Sequence, residues 1–239
     1  MKELWKEKGL WSASLIYFVT MAVGFPFDEI KFPLNTGAFL ELFQKALDNE
    51  MILFLIPIAA VLPVGAAYVR ESSTGFLKLY ITRINRMEYI RRKTLQVYVG
   101  GFLPFFVAGI TAFLFCFLFL YPLELKGNIS WEMFLSALVL LLRIGLIGGI
   151  MAELSGIFAA VFQNFYMAYG LPFVCYYMLI ILKERYLNKM YVFYPAEWVK
   201  CQQDWGPQGI GIWLFLIIFS IAMILLHGLA LYGRLQEIL

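Results

Sequence analysis

Long apolar runs alternate with shorter polar ones along the whole chain. Leu10–Phe27 is the first run, stopped by Pro26 and by Asp28-Glu29. Met51–Val69 is the second and contains Pro57 and Pro63. Each proline removes a backbone hydrogen bond, so a kinked helix is expected there. Thr94–Tyr121, Trp131–Phe162, Phe165–Leu182 and Ile210–Tyr232 follow. Each run is long enough to read as a membrane-crossing helix. The fourth has 32 positions and would be about 48 Å long, longer than a hydrocarbon core of about 30 Å, so it must tilt, kink or protrude. Gln163-Asn164 is a minimal turn between the fourth and fifth runs. Within the polar segment 28–50, Phe39, Phe43, Ala46 and Leu47 recur at helical spacing, which predicts a short helix lying on the surface.

One polar stretch differs from the others. Arg70–Lys93 holds seven of the nineteen Lys and Arg residues, against only Glu71 and Glu88. Read as a helix from Phe76, it places Phe76, Leu77, Leu79, Tyr80, Ile81, Ile84, Met87 and Ile90 on one apolar arc. Lys78, Thr82, Asn85, Arg86, Tyr89, Arg92 and Lys93 fall on the other. Arg83 interrupts the apolar arc, so a break near Thr82-Arg83 is expected. Ser72, Ser73 and Thr74 are N-cap candidates for the helix that follows. A basic amphipathic segment between two spans belongs at the cytoplasmic face.

Composition agrees with this reading. The chain is 62% hydrophobic and 15% charged, where a soluble domain carries about a quarter charged residues. Mean hydropathy is +0.78. The net charge of +3 comes from the local basic cluster, so it speaks for membrane topology and not for nucleic-acid binding. The polar stretches are too short to fold alone, so residues 1–239 form a single transmembrane domain. The acid-containing start and the missing small-residue cleavage site lead us to read the first run as a retained helix and not a signal peptide. Cys116, Cys175 and Cys201 are far apart and lack metal-ligand spacing.

Basic residues in the loops set the orientation. Segment 70–93 is placed inside, and 28–50, with only Lys31 and Lys45, outside. Six spans then put both termini in the cytoplasm. Segment 183–209 falls outside although it carries Lys183, Arg185, Lys189 and Lys200. The predicted fold is thus an all-α polytopic membrane protein with six transmembrane helices.

Catalytic signatures are absent. The chain has no GxxxxGK[ST] phosphate loop, no HExxH and no GxSxG. Its one histidine, His227, reads as a hydrogen-bonded packing residue more readily than as a catalyst. The other ionisable residues within the runs are Arg143 and Glu153. Ten positions separate them, about 15 Å along a helix and about 80° around it, so they cannot pair within one helix. Twelve residues from Trp131, Arg143 is expected about 18 Å below the outer interface, near mid-membrane. Intramembrane charges face a bundle interior or a wet cavity. Arg143 and Glu153 therefore either line a translocation pathway or make structural contacts with neighbouring helices. Gly145, Gly148, Gly149, Ala152, Ser155 and Gly156 crowd the same helix and give Gly145 and Gly149 a GxxxG spacing suited to close helix approach.

The segment after the second run resembles the ABC-2 type permeases, the membrane subunits of many ABC exporters. The residues that carry the resemblance are Glu71, Ser73-Thr74-Gly75, the apolar Phe76–Ile81, Arg83, Arg86, Tyr89 and Lys93. The order of spans, the prolines of the second and the long segment before the sixth are also similar to that family. The resemblance implies a coupling helix that docks on a separate ATPase subunit, with Glu71, Thr74, Gly75, Phe76, Tyr80, Arg83 and Arg86 at the contact. It implies two copies of this chain, two ATPase subunits holding ATP and Mg, no cofactor on this chain, and a bacterial plasma-membrane location. Many members carry a longer cytoplasmic helix before the first span, where about eight residues precede it here. Short permeases of this kind are similar to lantibiotic-immunity subunits and exporters of phenol-soluble-modulin-type toxins. The expected cargo is therefore an amphipathic or antimicrobial peptide. The alternatives are another hydrophobic substrate such as a drug or lipid, a membrane-embedded enzyme, or an immunity protein that binds without transporting.

Overall fold

The hydropathy runs fold as helices. A computed structural model describes residues 4–30, 32–75, 77, 81, 83–127, 130–187 and 189–237. Among these, nine α-helices form: α1 Lys8–Val23, α2 Ala38–Leu47, α3 Glu50–Val61, α4 Ala67–Ser73, α5 Arg86–Leu120, α6 Trp131–Phe162, α7 Phe165–Arg185, α8 Pro195–Lys200 and α9 Ile210–Glu237. Leu77 and Ile81 are also helical. No strand occurs among the described residues, only an isolated bridge between Leu34 and Glu124.

Four helices are long and apolar enough to cross a membrane: α5 with the turn that extends it to Leu123, then α6, α7 and α9. The first two predicted spans are shorter. α1 has 16 residues and α3 has 12, about 24 and 18 Å. The second span does more than kink. It ends at Val61, turns through 62–66 and resumes as α4. Pro63 lies in the break, where it cannot donate to the carbonyl one turn back. Pro57 is accommodated inside α3.

α6 is the axis of the bundle and packs against α3, α5, α7 and α9. Small residues permit this. A Cβ at Gly148 would stand 2.3 Å from the Phe105 ring and 2.7 Å from the Gly101 carbonyl oxygen. A Cβ at Gly101 would stand 2.4 Å from that of Ala152. α5 and α6 thus touch backbone to backbone, which only glycine allows. The GxxxG pair is used within the chain, with Gly145 facing Phe102 and Gly149 facing Tyr98.

The surface helix predicted for 28–50 forms as α2, but its apolar face is covered by protein. Phe39, Phe43, Ala46 and Leu47 are buried, and the Phe39 and Phe43 rings pack on Phe113 of α5. The start of α2 is capped from afar. The Glu124 carboxylate accepts from the backbone N–H groups of Gly37, at 3.0 Å, and Phe39.

The bundle has two distinct ends. At one, segment 28–50 meets the α5–α6 connection and Lys200 of α8. At the other, Glu7 and Arg70 lie 3.9 Å apart. Tyr68, Leu77, Ile81 and Tyr89 share a buried cluster there with Ala160, Ala168 and Leu235. Arg234 closes this second end. Its Nε donates to the Ala160 carbonyl at 2.9 Å and its Nη2 to that of Val161, satisfying the last turn of α6.

Candidate functional site

The basic segment is rooted by one carboxylate. Glu71, in the last turn of α4, receives the Lys93 ammonium at 2.6 Å on one oxygen and the Tyr89 hydroxyl at 2.7 Å on the other. Tyr89 and Lys93 are four residues apart on α5 and so share a face. The Lys93 side chain is 4% exposed and that of Glu71 30%. This revises the amphipathic arc. Tyr89 and Lys93, expected on the polar side, face inward, while Met87, expected inside, is 62% exposed. The cause is the break at 83–85, where Asn85 accepts from the Met87 N–H and starts a new helix in a new rotation.

Ser72, Ser73 and Thr74 close α4, and the start of the helix they were expected to cap, at Phe76, lies outside the described residues. Their hydroxyls donate back to the carbonyls of Val69, Arg70 and Arg70 respectively, and Thr74 is the C-cap of α4. These are the back-bonds that serine and threonine make to the preceding turn. Gly75 follows at φ +72° with open space around its α-carbon. Its glycine is demanded by the left-handed backbone and not by packing. Arg83 and Arg86 are exposed and form no ion pair among the described residues. Phe76 and Tyr80, expected at the ATPase contact, lie outside the described residues, as do Lys78, Leu79 and Thr82.

The two intramembrane charges are separated. Glu153 is 0% exposed and its Oε2 lies 2.6 Å from Nδ1 of His227, itself 1% exposed. The pair joins α6 to α9. Beside it the Tyr98 hydroxyl donates to Ser220 at 2.9 Å, joining α5 to α9. Gly156 makes room for the His227 ring, since a Cβ there would sit 2.4 Å from the imidazole. Neither Oε1 of Glu153 nor Nε2 of His227 has a hydrogen-bond partner among the described residues.

Arg143 faces the opposite end. It lines a cavity of about 530 Å³ with Glu41, Gln44, Asp48, Ser136 and Lys200. It stands near the thiol of Cys201 and the carboxylates of Asp48 and Glu197. Its position along α6 placed it near mid-membrane, but α2 and the 183–209 segment bring polar groups down to it. Lys45 bonds Glu29 on the same rim, which holds its ammonium above the ordinary lysine range. Within segment 183–209, residues 195–199 are buried. Trp198 is buried and donates to the Val192 carbonyl at 2.6 Å, and the Glu197 carboxylate accepts from Gln203 and Trp205.

A separate apolar pocket of about 250 Å³ opens between α1, α2 and α5, lined by Phe18, Met21, Phe43, Phe115 and Phe119. Sequence reading did not single out this pocket, the pairing of His227 with Glu153, or the Glu124 cap. Each joins residues far apart in the chain, which no local period reveals. No protein-family model matches the chain, and no curated protein is significantly similar to it.

Proposed function

We propose that this chain is the permease subunit of an ATP-driven exporter of the bacterial plasma membrane. In this reading the chain crosses the bilayer six times, with both termini cytoplasmic, and works as a pair of copies with two ATPase subunits. ATP and Mg belong to those subunits, because this chain carries no phosphate loop. The observation that carries the reading is the clamp of Glu71 by Lys93 and Tyr89. It anchors both ends of the 74–86 segment to α4 and α5, so a push on that segment is transmitted to two helices of the bundle. A partner that moves it can switch the membrane portion between two arrangements. The left-handed Gly75 and the exposed Arg83 and Arg86 suit a docking element with an electrostatic rim. The aromatic-lined pocket between α1, α2 and α5 supports an amphipathic or antimicrobial peptide as cargo.

The test is co-purification. The tagged chain, purified from its native cells in mild detergent, should retain an ATPase subunit, and Arg83→Glu with Arg86→Glu should lose most of it while the chain still inserts. Equal retention by the variant removes the docking assignment. No ATPase with the unaltered chain removes the exporter reading.

A further inference from the structure

A second surface at the charged end is built for a ligand. α5 and α9 line a groove of about 910 Å³ there. Met87 and Ile90 of α5 form one apolar wall, and Leu225 and Leu229 of α9 the other. Leu225 and Leu229 are more than half exposed, as befits side chains that meet acyl chains.

Two charged side chains, Glu88 and Arg91, stand in this apolar setting. Arg91 lines the groove and is exposed. Glu88, the one carboxylate among the described lining residues, is engaged by Arg92 at 2.5 Å. Arg91 itself forms no ion pair among the described residues. It lies about 7.5 Å above the start of α5, the positive end of a 35-residue helix dipole. Arg86 adds a further exposed cation at that end. An apolar trough beside a guanidinium without an ion pair among the described residues, at the charged end of the bundle, matches one kind of molecule. The chains of a phospholipid fit the trough, and its phosphate meets the guanidinium.

We propose that the α5–α9 groove binds an anionic phospholipid, with an acyl chain along Ile90, Leu225 and Leu229 and the headgroup phosphate on Arg91. A second copy of this chain is a poorer occupant. A two-fold pairing through this face would bring two Arg91–Arg86 clusters together. Gly228 forms the floor, and only Ile90 lies within 4 Å of where its Cβ would be, at 3.5 Å. A larger side chain there fills the groove without displacing backbone.

The experiment measures lipid retained by the full chain in detergent, by native mass spectrometry, with phosphatidylglycerol or phosphatidylcholine added. The chain should hold phosphatidylglycerol in preference, and free glycerol phosphate should not compete. Arg91→Gln should cut the preference about fivefold, the equivalent of the ~1 kcal/mol that a basic side chain contributes near an anionic surface. Arg91→Lys should keep it. Gly228→Leu should release both lipids while the melting temperature without lipid is unchanged or higher. Four results would overturn the proposal. They are equal retention of the two lipids, an unchanged preference in Arg91→Gln, displacement by free glycerol phosphate, or a disulfide-linked dimer from Leu229→Cys that excludes lipid.

Discussion

At the scale of single residues, the interior is held by a few polar contacts whose removal has calculable effects. Glu153 and His227 are both buried and face each other across α6 and α9. Glu153→Ala leaves a buried imidazole without its acid and should cost about 3–5 kcal/mol. Replacing both residues by leucine should recover most of that loss, since an apolar pair leaves no orphaned group. The unfolding midpoint in a denaturing detergent titration measures both. A double variant no more stable than the single one would show that the pair does more than hold two helices together. At the other polar centre, Tyr89→Phe removes one hydrogen bond to Glu71 and should lower stability by about 1 kcal/mol. Glu71→Gln should cost more, because it leaves the buried Lys93 without its counter-charge. Thermal unfolding of the two variants checks the order. The reverse order would mean that Lys93 finds another partner.

At the scale of helices, glycines decide which pairs come close. Gly148→Val would drive a methyl group into the Phe105 ring and the Gly101 carbonyl. It should destabilise by about 1–3 kcal/mol, the usual range for overpacking. Gly170→Ala on α7 meets nothing within 4 Å, so it should be neutral or stabilising by up to about 1 kcal/mol through helix propensity. Equal melting temperatures for the two variants would contradict the backbone contact between α5 and α6. Much of this level was legible in the sequence. The limits of α6 and the Gln163-Asn164 turn follow from unbroken hydropathy, and the break near Arg83 follows from a charge in an apolar arc. The fracture of the second run was foreseen only as a kink, because a proline marks where a hydrogen bond is lost and not how far the chain then turns. The inward rotation of Tyr89 and Lys93 was hidden, since a period carried across a break assigns the wrong face. His227 and Glu153 stand 74 residues apart, and their meeting depends on the packing of α6 against α9.

At the scale of the whole molecule, two polar clusters mark the two ends of an apolar bundle, with the buried Glu153–His227 pair inside it. Arg143 opens toward one end, under α2 and Lys200. The Glu71 clamp, Leu77 and Ile81 occupy the other, together with Glu7 and Arg234. The central claim is that this second end receives an ATPase. A photo-crosslinking residue placed at Arg83, with a control at Lys45 on the opposite rim, tests it in intact cells. Both positions are exposed and outside the core, so neither substitution should disturb the fold. The account expects an adduct of the size of this chain plus one ATPase subunit from position 83, and none from position 45. An ATPase adduct from position 45, or none from position 83 in cells where the ATPase is present, would contradict it.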